Sequence, residues 1–142
     1  MKHFKLLAIA AVSLISFSNV HAADLKSARI VEQAVSCELP AGKFDSVSLA
    51  LKKLGARYKG DGVYALPEPI TVFGQQVTNV AIDDQDVETY IANIPGGDIK
   101  LIAKSASLSL LAGDYQRDGK HGQLRAAIRD KNIVAISCVV SK

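Results

Sequence analysis

The apolar positions between Phe44 and Tyr58 repeat with the period of an α-helix. Residues three and four positions apart share one face of a helix, so this spacing predicts an apolar stripe that faces a core. The stripe consists of Val47, Ala50, Leu51 and Leu54. Asp45 or Ser46 can cap the first turn, and Gly55 is typical of a residue that stops a helix. We therefore predict a helix from Phe44 to Tyr58.

Apolar and polar residues alternate on both sides of the acidic segment Asp83–Asp86. Alternation with a period of two is typical of strands, so residues 76–94 are predicted to form an antiparallel hairpin. A four-residue loop would pair Ile82 with Val87 and would place Tyr90 on the less apolar face.

The clearest alternation lies between Leu124 and Val140. A turn at Asp130–Asn132 would make Ile128 oppose Val134, and this register gathers one apolar set on a single face. The set consists of Leu124, Ala126, Ile128, Val134, Ile136, Cys138 and Val140. We expect that face to be buried.

The segment "LPEPITVFGQ", residues 66–75, contains two prolines and a glycine. Pro67 and Pro69 lack the N–H that a central strand donates, so they indicate a sheet edge or the start of a strand. Gly74 has two interpretations. It could form a two-residue turn with Gln75, or it could be a bulge in a longer strand. The better pairing of the residues that follow favours the bulge.

Three other segments are less regular. Residues 28–37 are predicted to form a short strand that places Cys37 on the buried face. Residues 98–111 fit a strand or a helix capped by Asp98, and the cap and the alanines favour the helix. Residues 112–123 are polar and rich in glycine, which predicts a loop.

These elements together predict an α+β fold. It consists of an antiparallel sheet of hairpins with one or two helices packed on one face, stapled by a disulfide. Residues 44–94 and 98–140 have the same order of a helix and a hairpin, which suggests an internal repeat without shared residues.

A helix that ends in "LKKLG", residues 51–55, is followed by a polar loop and by strands from Ile70 to Ile94. This third of the chain resembles the unit found in SmpA/BamE-like outer-membrane proteins and in β-lactamase-inhibitor-like domains. The resemblance implies binding rather than catalysis. BamE-like proteins are lipoproteins, and the lipid-bearing cysteine of that class is missing here.

Residues 1–22 have the three parts of a secretory signal peptide. Lys2 and Lys5 precede an apolar run at residues 6–17, which is too short to span a bilayer, and a small-residue cleavage site ends at Ala22. We expect a mature chain of one domain, residues 23–142, without a transmembrane segment, in the periplasm or secreted.

The charge of residues 23–142 is nearly balanced, with 15 basic and 14 acidic side chains. A nucleic-acid surface needs clustered basic residues, so we expect no nucleic-acid partner. Cys37 and Cys138 are predicted to form a disulfide, because two distant cysteines in an oxidising compartment pair more readily than they act in redox chemistry.

Candidate catalytic groups are few. His121 is the one histidine of residues 23–142, and Asp114 or Asp118 could orient it as a general base. The sequence contains no serine-nucleophile elbow, no phosphate-binding glycine loop and no second histidine for a metal. An exposed loop histidine is the better interpretation of His121, so we expect a protein that is not an enzyme, with a small hydrolase as an alternative.

The acidic residues near the central hairpin allow a calcium interpretation, because hard cations prefer several oxygen ligands. The acids are Asp83, Asp84, Asp86 and Glu88. Their loop has no glycine at its turning point, so a solvated turn is the better prediction, and neither a metal nor a cofactor is expected.

Tyrosine offers contact area together with a hydroxyl group, which suits a protein interface. The predicted interaction surface consists of Tyr64, Phe73, Gln75, Tyr90 and Tyr115. The expected function is therefore a non-enzymatic protein-binding domain of the inhibitor or envelope-accessory type. A small-ligand carrier is a further alternative.

Overall fold

The computed structural model describes residues 22–142, with side chains from Asp24 onwards. The predicted signal peptide therefore lies outside the described residues, except for Ala22 at its end. Within this part the chain forms three helices and one antiparallel sheet of eight strands. The helices are α1 (Ala22–Val35), α2 (Phe44–Lys53) and α3 (Ile99–Ser105). The strands are β1 (Arg57–Gly60), β2 (Val63–Val72), β3 (Gln75–Asp83), β4 (Thr89–Pro95), β5 (Ser109–Leu111), β6 (Asp114–Asp118), β7 (Gly122–Asp130) and β8 (Ile133–Val140). The α+β class is confirmed, with a sheet that dominates the fold.

Helix α1 occupies the place of the strand predicted for residues 28–37. Val31 and Val35 fit both a strand and a helix, but Ser27 and Ala34 are buried with them. That combination follows one face of a helix, so the helical period prevails. The strand prediction was wrong, and Cys37 lies just beyond the end of a helix.

Helix α2 buries Val47, Ala50 and Leu51 as predicted, but it ends at Lys53. Its N-cap is Lys43, without a side-chain cap hydrogen bond, so the predicted caps were wrong. The helix stops because Gly55, with φ +75°, turns the chain. Residues 57 and 58, predicted to be helical, therefore belong to β1.

All three helices end in the same hydrogen-bonded motif. The residue beyond the C-cap has positive φ, and two successive N–H groups donate back to carbonyls of the last turn. The positive-φ residues are Cys37, Gly55 and Ser107. These motifs make the helix ends comparable position by position.

The strand order is β1-β2-β3-β4-β8-β7-β6-β5, with every neighbour antiparallel. Pro67 and Pro69 lie inside β2, where the ladder to β3 is interrupted between Ala65 and Ile70. This irregularity explains how a strand accommodates two residues without a donor.

Gly74 is a turn residue, so the bulge prediction was wrong. Phe73 and Gly74 both have positive φ, at +48° and +76°, and connect β2 to β3 as a two-residue turn. Two positive φ values give the backbone twist that such a hairpin favours.

The β3–β4 register differs by three residues from the predicted one. Ile82 pairs with Tyr90 rather than with Val87, because the connecting loop has five residues, 84–88. An odd shift moves every side chain of a strand to the other face. Tyr90 is therefore fully buried and does not lie on an exposed face.

The β7–β8 register is confirmed, with Ile128 opposite Val134 and Ala126 opposite Ile136. Ile128 itself is exposed, against the prediction.

The remaining segments were only partly predicted. Residues 98–111 hold α3 and then β5, whereas residues 112–123, predicted to be a loop, contain β6.

The sheet contains two similar units. The first unit is α2 with β1–β4, and the second unit is α3 with β5–β8. The strand order is symmetric about the β4–β8 pair, so each strand has a counterpart four strands later in the chain. One row of cross-strand neighbours is Tyr58, Tyr64, Val80, Ala92, Ile136, Ala126, Tyr115 and Leu110. Tyr64 and Tyr115 thus occupy equivalent positions, which supports the suggested internal repeat.

One hydrophobic cluster joins the helices to alternate residues of the sheet. Helix α1 contributes Val31 and Val35, α2 contributes Leu51, and α3 contributes Ile102. The Cys37–Cys138 disulfide, with Cα atoms 5.2 Å apart, ties the end of α1 to β8 and confirms the predicted bridge. None of the helices within residues 22–142 has both the length and the apolar character needed to cross a bilayer.

Candidate functional site

The predicted interaction residues are not brought together by the fold. Tyr64 lies in a surface groove of the first unit, and Tyr115 lies at the equivalent position of the second unit. Phe73 and Gln75 lie at the β2–β3 turn. Tyr90 belongs to the core, with 0% exposure, and was wrongly assigned to a surface.

The groove around Tyr64, here called the acidic groove, has a volume of about 620 Å³. It is lined by Phe44, Tyr58, Asp61, Gly62, Tyr64, Ile82, Asp83, Asp84 and Gln85. A smaller cleft of about 350 Å³ shares Phe44, Asp84 and Gln85 with it and adds Asp45, Asp86 and Glu88, together with Lys142. The two adjoining clefts are thus lined by three aromatic side chains and several carboxylates.

The aromatic wall is built by the β1–β2 hairpin. Tyr58 and Tyr64 are cross-strand partners, and their ring centroids lie 5.2 Å apart at an interplanar angle of 56°. The Gly62 N–H donates to the Tyr58 hydroxyl oxygen at 3.3 Å, which fixes the exposed ring above its own turn. A tilted pair at this distance is a favourable aromatic geometry.

The turn that carries this wall requires glycine at position 62. Gly62 has φ +73°, and a Cβ added there would lie 2.3 Å from the Ile82 carbonyl oxygen. The Gly62 carbonyl accepts a hydrogen bond from the Ile82 N–H at 3.0 Å, so the turn is held against β3. Asp61, which precedes Gly62, therefore lines the same groove as Asp83 and Asp84.

The acidic loop, residues 84–88, is held at both ends. The Gln85 N–H donates to the Asp83 carboxylate at 3.0 Å. At the other end, the Glu88 carboxylate accepts the N–H groups of Gly42 at 2.8 Å and Lys43 at 3.2 Å. Because Phe44 follows these two residues, Glu88 sets the position of the third ring of the groove.

Glu88 also accepts a hydrogen bond from the buried Tyr90 hydroxyl. Burial raises the pKa of the Tyr90 phenol far above its usual range, and the carboxylates of Glu88 and Asp84 raise it further. Tyr90 is therefore a neutral hydrogen-bond donor that holds Glu88 from within the core, and it is not available to contact a partner.

The acids that line the groove form no ion pair within residues 22–142. Asp61, Asp83 and Asp84 are exposed. Within residues 22–142 the one ion pair joins Asp114 to Arg125, in the second unit. No set of three or more His, Cys, Asp or Glu side chains in this part of the chain is placed to hold a metal ion. The groove thus presents uncompensated negative charge beside aromatic faces, which is chemistry suited to a cationic group.

The region around Phe73 has a different character. It is a cleft of about 410 Å³ between α1 and the β2–β3 turn, lined also by Arg29, Glu32 and Glu38. The Thr71 N–H donates to the Glu32 carboxylate at 3.3 Å, so this outward edge of β2 is already engaged. Together with the prolines of β2, that contact blocks strand addition at this edge.

His121 lies in the short β6–β7 connection, where its carbonyl accepts the Ser141 N–H at 2.9 Å. Asp114 accepts a hydrogen bond from Arg125 and Asp118 accepts one from Gln123. Neither of the two carboxylates is hydrogen-bonded to His121 in the described structure.

Sequence reasoning missed Tyr58, Asp61 and Phe44. Tyr58 was assigned to a helix, and the acids were considered without the rings beside them. The signal that could have found them is the Asp61–Gly62 pair, because Asp-Gly between alternating residues is a strong indication of a hairpin. No family model, curated protein or solved structure matches this chain.

Proposed function

We propose that this chain is an extracytoplasmic protein-binding domain, not an enzyme, and that the acidic groove receives a basic segment of its partner. The observation that carries the proposal is the tilted pair Tyr58–Tyr64, which lines one groove with Asp61, Asp83 and Asp84. These three carboxylates are exposed and form no ion pair within residues 22–142.

An arginine side chain fits this chemistry best. Its planar guanidinium group stacks on aromatic faces and donates to carboxylates from the same plane, whereas lysine offers a compact charge. Tyrosine is also favoured at protein interfaces. Charge complementarity of this kind speeds association and makes it sensitive to salt.

The compartment is supported by the Cys37–Cys138 disulfide, since such bridges persist mainly where the surroundings are oxidising. We further infer that α1, α2 and α3 lie on the same face of the sheet. Their buried residues share one cluster with alternate strand residues, while the intervening residues, such as Asn79 and Asn93, are partly exposed.

The test is comparative affinity capture from an extracytoplasmic extract. Three purified baits are used: the natural chain, the groove variant Asp83→Asn/Asp84→Asn, and the control variant Asp118→Asn/Asp130→Asn. All four substituted residues are exposed. Both variants lose two charges, so only the location of the loss differs.

The proposal predicts at least one protein that the natural chain and the control capture and that the groove variant loses. The same protein should elute at high salt. Identical captured sets for all three baits, or loss on the control alone, would contradict the groove as the binding site.

A further inference from the structure

The second unit has an exposed apolar and basic patch where the first unit has the acidic groove. Leu110 stands at the position of Tyr58, and Ile128 at the position of Ile82 in the symmetric sheet. Leu110 is 63% exposed and Ile128 is 62% exposed, whereas Ile82 is 5% exposed. Arg129 then corresponds to the acid Asp83. Leu110 and Ile128 lie on the same face of the sheet, because Leu110 is in one row with Ala126, and Ile128 follows Ala126 by two residues. The cations Arg129 and Lys131 follow Ile128 at the β7–β8 turn. We call these four exposed residues the apolar–basic patch.

The exposure of Ile128 fits the shorter length of α3, which has 7 residues where α2 has 10. The C-terminal motifs align Lys52 with Lys104, so the first helical residue of α3, Ile99, corresponds to Val47. The first three residues of α2 have no helical counterpart, and Gly96 stands where the first unit has Phe44. Ile128 therefore lacks the aromatic cover that the first unit provides.

The two units carry opposite charge. Residues 44–97 contain seven acidic and four basic side chains, whereas residues 98–142 contain four acidic and eight basic ones. One molecule thus presents both an acidic aromatic groove and an apolar surface flanked by cations. Each surface has the chemistry that the other would recognise.

We propose that the protein self-associates head to tail, with the apolar–basic patch of one copy docked in the acidic groove of the next. The proposal rests on the groove being a binding site, as in the proposed function. The contact joins two different surfaces, so it leads to a ring or an open chain rather than to a closed symmetric dimer.

The first measurement is sedimentation velocity of the purified chain over a range of concentrations. The mean sedimentation coefficient should rise with concentration in low salt. In about 1 M salt, where the Debye length is roughly 3 Å, association should weaken by about tenfold or more. A chain that stays monomeric at every concentration in low salt would overturn the proposal.

Complementation of two variants tests the head-to-tail geometry. Asp83→Lys/Asp84→Lys alters the groove and leaves the patch intact, whereas Ile128→Glu/Arg129→Glu does the reverse. Asp83, Asp84 and Arg129 are exposed charged residues, and the apolar Ile128 is exposed as well. Both variants should therefore fold. Circular dichroism and the melting temperature check that they do. Glu68→Lys, an exposed change in β2 outside both surfaces, is the control and should associate like the natural chain.

Each variant alone should be monomeric, and an equal mixture should form a dimer and nothing larger, since only one intact groove and one intact patch can meet. A mixture that stays monomeric, or single variants that associate like the natural chain, would overturn the proposal.

Flotation with phosphatidylglycerol–phosphatidylcholine vesicles tests whether the patch binds a lipid surface instead of a second copy of the chain. A monomeric chain that binds these vesicles through Ile128 and Arg129 would assign the patch to a lipid surface instead. In either case, amide chemical shifts during titration with a hexa-arginine peptide test the groove separately. Failure of self-association can therefore be distinguished from failure of the proposed function.

Discussion

Replacing Glu88 with alanine should cost more stability when Tyr90 is present than when it is absent. The Glu88 carboxylate accepts two exposed backbone N–H groups before α2 and the hydroxyl of Tyr90, whose side chain is fully buried. Water can replace Glu88 at the exposed N–H groups, but it cannot easily reach the buried hydroxyl. An orphaned buried donor costs roughly 1–3 kcal/mol.

Tyr90→Phe removes the hydroxyl and leaves Glu88 with its two N–H donors, so this single change should cost about 1 kcal/mol. In the double variant no buried donor is left unpaired. We therefore expect a coupling energy of about 1–2 kcal/mol between Glu88→Ala and Tyr90→Phe. The coupling measures how strongly the core fixes the wall of the acidic groove.

Urea unfolding followed by circular dichroism gives the four free energies of the cycle. Asp86→Ala is the matched control, because Asp86 is an exposed acid of the same loop, and its effect should stay within about 0.5 kcal/mol. Single changes that add within about 0.5 kcal/mol would refute the reasoning, since additivity means that Glu88 and Tyr90 act independently.

Three other predictions concern the frame around the site. Replacing both Cys37 and Cys138 with serine should lower the free energy of unfolding by about 4–5 kcal/mol, because the bridge closes a loop with a sequence separation of 101. Urea titration measures this loss, and a loss below about 1 kcal/mol would contradict the prediction. Gly62→Ala should lower the free energy of unfolding by more than about 2 kcal/mol, because the strain of a positive φ adds to the close contact with β3. Gly113→Ala, at φ +90° with open space around it, should lower it by only about 1 kcal/mol. Equal losses would show that the contact is unimportant. The raised pKa of Tyr90 means that the unfolded chain loses its phenolic proton first, so stability should fall as the pH rises above about 10, and Tyr90→Phe should reduce that slope; an unchanged slope would contradict this assignment.

Parts of the fold were predictable because a local pattern decided them. The stripe of α2 and the β7–β8 register each sort many residues onto one face, and the structure keeps both. The α1 segment was misassigned because Val31 and Val35 fit two periods, and the burial of Ala34 that decides between them is a tertiary fact. The predicted β3–β4 register was wrong because the loop has five residues, 84–88, and the contacts of Glu88 with Gly42 and Lys43 join distant parts of the chain that no local pattern reveals.

The candidate site was less predictable than the fold. Tyr64 was recognised, but its partner Tyr58 was hidden by a helix prediction that ran past Gly55. Asp61 and Asp83 line one groove because the turn at Gly62 packs against Ile82, and these two residues are 20 positions apart in the chain. Pairings of this kind follow from sheet geometry and cannot be read from composition or period.

The repeat leaves few identical residues in the sequence. Gly62 and Gly113, like Tyr64 and Tyr115, are 51 positions apart, whereas the counterparts Tyr58 and Leu110 are 52 apart, because a bulge lies between Tyr58 and Gly60. The two units differ at the proposed binding surfaces, where Ile82 is buried in the first unit and its counterpart Ile128 is exposed in the second.

The most direct test of the acidic groove is a titration of the isotope-labelled protein with a hexa-arginine peptide, followed by amide chemical shifts. We expect saturable shifts centred on Asp61, Gly62 and residues 83–85, which weaken strongly in high salt and disappear in Asp83→Asn/Asp84→Asn. The control variant Asp118→Asn/Asp130→Asn should keep them. Shifts confined to other surfaces, or equal binding by both variants, would contradict the binding of a basic segment in this groove.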